Sequence, residues 1–240
     1  MIWPFKRKRP DIEFKAVIGR PDLYAPIVPA RKVCPEWARR QREASKKVNL
    51  AQCPGMFDFA HAGYIVPAWC DIHIKANRAG VVIQLDGSLA SLPGLSALPM
   101  DFSIIDGLAP IEDSVQRRAF KLPGPWSVQT APGVSCYVVP ALMHSDFLDK
   151  IYVYPGAVDY ETFHTLNLMF SVLKECEFTI PAGTPLLQVI PFHQHTFEAT
   201  CGNGDQDAKD RFTFQMPSRV KGYYRKVHHR KKRYEMRGTP

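Results

Sequence analysis

The sequence predicts a mainly β core, closed as a barrel or stacked as a sandwich, with one N-terminal helix and extended basic termini. Two observations carry this expectation. From residue 50 onward, short β-branched and aromatic runs recur between Gly and Pro residues, with turns at regular intervals. The charge falls in blocks: residues 1–47 carry a net +8, residues 48–218 a net −8, and residues 219–240 a net +8. With 45% hydrophobic and 22% charged residues over 240 positions, the chain has ordinary globular composition and enough length to bury a core without staples.

The organisation is read as a basic N-terminal arm and helix at 1–49, a β core at 50–200, and a linker with a basic C-terminal tail at 201–240. Pro4, Pro10, Pro21, Pro26 and Pro29 rule out a continuous helix in the first thirty residues, so that stretch is expected to be extended. The helix is expected at about 35–48. Pro35 suits a first helical position. Glu36 with Arg40 and Glu43 with Lys47 are favourable four-residue pairs. Val33, Trp37, Ala44 and Val48 form a thin apolar stripe that packs on the core.

The expected strands are Gly63–Pro67, Asp71–Lys75, Gly80–Leu85, Trp126–Thr130, Ser135–Val139, Lys150–Val153, Leu166–Leu173, Glu177–Ile180 and Leu186–Phe192. Residues 86–123, with Leu92-Pro93-Gly94-Leu95 and Leu98-Pro99, read as a loop-rich insertion, the kind of segment that often carries a contact or a function. No repeat of 20–50 residues is present.

The 6 cysteines form no Cys-x-x-Cys pair, which excludes zinc-finger spacing, and they read as reduced, mostly buried thiols. At the N-terminus, Met1-Ile2-Trp3-Pro4-Phe5 precedes the cations Lys6, Arg7, Lys8 and Arg9. This order, without a long apolar stretch, is not that of a secretory signal. No run reaches the ~18 apolar residues of a transmembrane helix.

Three constellations offer chemistry. Asp159, after the turn Pro155-Gly156-Ala157-Val158, presents a carboxylate at a strand end. His193 and His195 lie two apart on an expected strand, where both imidazoles point to one face. Glu198 completes His-x-His-x-x-Glu, a cupin-like metal set, although a catalytic metal site takes three protein ligands and an open position. The C-terminal tail interleaves Tyr223, Tyr224 and Tyr234 with Arg225, Lys226, Arg230, Lys231, Lys232 and Arg233. Cations bind phosphates through counterion release and aromatic rings stack on unpaired bases. The same composition suits a tail lying on an acidic neighbouring subunit, or one that is merely solvated. No Gly-x-Ser-x-Gly elbow or phosphate-cradling Gly-rich loop is present.

Three elements across about 65 residues carry a family resemblance. Trp126–Pro140 reads as strand, Pro132-Gly133 turn, strand. Gly156-Ala157-Val158-Asp159 runs on into Leu166-Asn167-Leu168-Met169-Phe170. Ile180-Pro181-Ala182-Gly183 leads to Gln188. In order and spacing they resemble the dUTPase/dCTP-deaminase superfamily and its β-clip fold. Ala62-Gly63-Tyr64 and Cys70-Asp71-Ile72 loosely echo that family's first motif. The resemblance implies a β-clip or jelly-roll-like core and a trimer, with Asp159 as the water-activating carboxylate and Gln188 as a nucleotide-side glutamine.

The chain departs from the family where phosphate is bound. Pro140-Ala141-Leu142-Met143-His144-Ser145-Asp146 stands where an Arg-Ser motif is expected, with no arginine between Trp126 and Lys150, and the Gly-rich C-terminal lid is missing. Triphosphate turnover needs such charges to offset developing negative charge. A non-catalytic chain without a cofactor is therefore expected. The style of the chain resembles tailed-phage proteins, which makes a virion assembly role in the virion or host cytoplasm the leading expectation. Its partners would be copies of itself, other virion proteins, or nucleic acid. A dUTPase-like pyrophosphatase and a cupin-like metalloprotein are the alternatives.

Overall fold

The computed structural model describes residues 10–16, 21–33, 35, 53–85, 98–100, 114–115, 117–144, 146–162, 164–207 and 209–210. Apart from Pro35, the helix expected at about 35–48 lies outside these residues, as do the basic runs Lys6–Arg9 and Tyr223–Arg233.

Among the described residues thirteen strands form three antiparallel sheets. The first sheet has the order β1 (Ile12–Ala16), β7 (Ala119–Thr130), β11 (His164–Val172), β9 (Ile151–Val153), with β6 (Leu98–Met100) also on β7. The second has the order β10 (Gly156–Val158), β8 (Val134–Pro140), β13 (Pro185–His193), β3 (Tyr64–Pro67), β2 (Val28–Pro29). The third is β12 (Cys176–Ile180), β4 (Ile72–Asn77), β5 (Gly80–Leu85). A short α-helix, α1 (Pro54–Ala60), precedes β3. The mainly β expectation holds. Among the described residues each sheet is an open path, so no barrel closes, and the arrangement is sandwich-like.

All three sheets contribute to one buried cluster. Phe120, Leu122, Val128, Leu168 and Phe170 come from the first sheet, Val66, Cys136, Val138, Leu187 and Val189 from the second, and Ile72, Ile74 and Ile180 from the third. Strand alternation explains the division. In β4 the residues Ile72, Ile74 and Ala76 are buried, while Lys75 and Asn77 are exposed.

β7 begins inside the stretch expected to be loop-rich. The misleading signal is Pro123-Gly124-Pro125, which reads as a turn. In the fold this triplet lies between two partners on one side of β7: β6 covers Ala119–Lys121 and β1 covers Trp126–Thr130. On the other side, β11 shifts register between Thr165 and Asn167. Gly124 is required there, because a Cβ would come within 2.7 Å of the Leu166 carbonyl oxygen. The prolines thus sit where a ladder partner is missing or irregular.

α1 appears in no periodic pattern because it is only seven residues long, with Pro54 in its first turn. It is anchored by β13. Gln188 is fully buried, and its Nε2 donates to the carbonyls of Phe59 and Ala62, each at 2.7 Å. The link between α1 and β3 turns through Gly63 at φ +64°, where a Cβ would overlap the backbone carbonyl of Val189.

Candidate functional site

The outer face of the second sheet carries the most concentrated chemistry. Residues two apart on a strand share a face, so Ser135 and Tyr137 of β8 point away from the core that takes Cys136 and Val138. On β13, Gln188, Ile190 and Phe192 share that outer face, and Gln194 follows them. Register places Phe192 opposite Ser135 and Ile190 opposite Tyr137. Across β8, Ala157 of β10 lies opposite Tyr137. α1 lies over the Gln188 end of this face. The other end is open, with Tyr137 48% exposed.

There Tyr137 stacks on Phe192, the rings 4.2 Å apart and 18° from parallel. Beside them is a polar knot. The Ser135 hydroxyl donates to Asp159 Oδ1 at 2.6 Å. Gln194 Nε2 donates to the same oxygen at 2.9 Å and to Ser135 Oγ at 2.6 Å. The Gln194 backbone N–H donates to the Gly133 carbonyl at 3.0 Å, and the Gly133 N–H donates to Glu161 Oε1 at 2.8 Å. Gly133 takes φ +74°, the conformation of the tight turn that begins β8.

Beneath the knot, burial pushes the Cys136 thiol up to about 12, and the Asp159 charge adds to the effect. Burial, then proximity to Cys136, likewise raises the neighbouring Tyr160 hydroxyl. A thiol this hard to ionise is no nucleophile at neutral pH. What the arrangement offers is an exposed carboxylate and a flat aromatic surface side by side. Together they suit a cation, which pairs with the one and stacks on the other.

The sequence-expected residues separate. Asp159 is exposed and belongs to the knot. Gln188 does not join it. It lies six positions before Gln194, or roughly 20 Å along an extended strand, and its two donors are used by α1. The imidazoles of His193 and His195 do come together, with centroids 5.9 Å apart. Glu198 does not complete a set with them: among the described residues no group of three or more His, Cys, Asp or Glu is placed to hold a metal. The His-x-His spacing aligns two rings, but the strand ends at His193 and nothing folds the third ligand back.

Sequence reasoning missed Tyr137, Phe192, Ser135, Gln194 and Glu161. The outward position of Tyr137 in Ser135-Cys136-Tyr137-Val138 is a signal, since a large aromatic alternates there with core residues. Its pairing with Phe192 depends on register, which no local pattern shows. Among the described residues no helix is long and apolar enough to cross a membrane, and no disulfide joins the described cysteines. The chain matches no known protein-family model and no curated protein sequence.

Proposed function

We propose that the protein is a non-catalytic assembly component of a phage virion, its β core forming the body and its basic ends gripping acidic surfaces of neighbouring subunits. The observation that carries the reading is the charge layout, a net −8 body between two ends of +8 each. Such blocks attract one another between copies while the like-charged bodies repel. Two further points support it. Gln188, one residue of the nucleotide resemblance, is fully buried and spends its amide donors on the carbonyls of Phe59 and Ala62, so it is not arranged as a nucleotide contact. The Arg-Ser phosphate motif is replaced by Ala141-Leu142-Met143-His144.

Deletion of residues 219–240 is expected to abolish self-association or co-assembly measured by sedimentation. Association of the full chain is expected to weaken steeply between ~50 and ~500 mM salt, because exposed charges are screened over a few ångströms at high ionic strength. Salt-independent association would sink the reading.

A dUTPase-type pyrophosphatase is the second reading, favoured by the exposure of Asp159 at a strand end and by the order of the flanking elements. It requires that a deoxynucleoside triphosphate with magnesium raise the melting temperature. A true ligand at 100 times its Kd adds ~2.7 kcal/mol.

A further inference from the structure

The segments that build the open end of the second sheet's outer face lack one kind of group. Between Lys121 and Lys209 the chain has only two Lys or Arg residues, Lys150 and Lys174. Both are bound to Asp149, at 3.1 and 2.7 Å, and their hydrogen bonds hold its carboxyl below the ordinary range. No lysine or arginine therefore comes from β8, β10 or β13, or from the 194–208 segment that follows β13. These same segments carry Glu198, Asp205 and Asp207, and Asp159 and Glu161 follow β10 directly. The stacked Tyr137 and Phe192 stand next to Asp159 on the same face, and Phe197 nearby in sequence is 83% exposed.

An aromatic platform edged by carboxylates, on segments that carry no Lys or Arg, rejects a phosphate backbone and accepts guanidinium and ammonium groups. This chain carries a segment of the complementary kind. Residues 219–240 hold nine Lys or Arg against one Glu, with tyrosines among them. We infer that the Tyr137–Phe192–Asp159 face is the docking site for the basic C-terminal tail of a second copy of this chain. The inference rests on the assembly reading and names the contact that reading requires. Arginine planes of the tail would lie on the Tyr137 ring, and its cations would face Asp159 and Glu161. The tail of each copy on the body of the next is a head-to-tail contact, which closes into a ring or extends as a filament.

The test uses the full chain. Equal amounts of ¹⁴N- and ¹⁵N-labelled protein are mixed at low salt and treated with a carbodiimide, which joins lysines to carboxylates in direct contact. Mass spectrometry is expected to find mixed-isotope peptides linking Lys226, Lys231 or Lys232 to Asp159 or Glu161. Tyr137→Ala, at an exposed position, is expected to cut their yield about tenfold, the scale of one desolvated cation–π contact. Asp159→Asn keeps an acceptor for Ser135 and Gln194 while removing the charge, and is expected to reduce the Glu161 links in the same way.

Links confined to single-isotope peptides would place the tail on its own chain and overturn the second-copy assignment. Mixed-isotope links from the tail lysines to other carboxylates, unaffected by Tyr137→Ala, would overturn this face while leaving the assembly reading standing. Retention of the tail on single-stranded DNA, with no mixed links, would overturn the face in favour of nucleic acid. A chain that sediments as a monomer at every concentration and salt would remove the assembly reading itself.

Discussion

Gln188 is the clearest case of a residue whose role depends on what lies above it. Its amide satisfies two carbonyls at the end of α1, and it is fully buried. Gln188→Leu leaves the buried Ala62 carbonyl without this donor and the Phe59 carbonyl with only the Ala62 N–H, so the unfolding free energy in urea is expected to fall by about 1–3 kcal/mol. Gln188→Glu is expected to cost more, because a carboxylate would face carbonyl oxygens. His144 gives a pH signature at the same helix end. Burial depresses its pKa; a hydrogen bond with the Ala60 backbone opposes the shift and the nearby His61 adds to it. Its Nε2 is buried without a partner. A depressed histidine takes up its proton more readily when unfolded. Its contribution to stability is therefore present above the ordinary histidine value of about 6.5 and is lost as pH falls through the lower folded value. Urea melts from pH 8 to 5 are expected to show this decline starting near pH 6.5, and His144→Gln is expected to flatten it.

At the scale of elements, strands bounded by their own turns were readable and strands completed by distant partners were not. Gly80–Leu85 has the expected limits because Arg78-Ala79-Gly80 makes a tight turn, with Asn77 Oδ1 accepting from the N–H groups of Ala79 and Gly80. β1 could not be read, since Ile12–Ala16 lies in a Pro-rich stretch and becomes a strand only by pairing with Trp126–Thr130. β7 was half hidden by Pro123 and Pro125, which a strand tolerates only where a ladder is broken. The link from α1 into β3 makes a prediction of its own. Gly63→Ala forces a methyl group into the Val189 carbonyl at a positive φ. A stability loss of roughly 2–4 kcal/mol is expected in chemical denaturation. Gly80→Ala, with open space around its Cβ position, is expected to cost under about 1 kcal/mol.

At the scale of the whole molecule, the two basic ends and the acidic body make association a matter of electrostatics. Like-charged bodies repel unless the ends of neighbouring copies lie between them. The apparent association constant is therefore expected to fall monotonically as salt rises, with the sedimentation coefficient moving toward that of the single chain. Without residues 219–240 the body is expected to stay apart at any salt. Titration of salt against sedimentation velocity checks both statements.

The mainly β class, the position of most strands and the +8, −8, +8 charge layout are legible along the chain, because they depend on local periodicity and on counting. The sequence also pointed to Asp159 as an exposed carboxylate, since a Gly turn before a strand end places one there. What surrounds it follows from how distant strands meet. The register of β8 against β13 sets Phe192 opposite Ser135 and under Tyr137, and carries Gln194 to Asp159. The same strand buries Gln188 under α1, about 20 Å away. Register comes from which side chains fill one shared core, and that is a property of the folded chain rather than of any single segment.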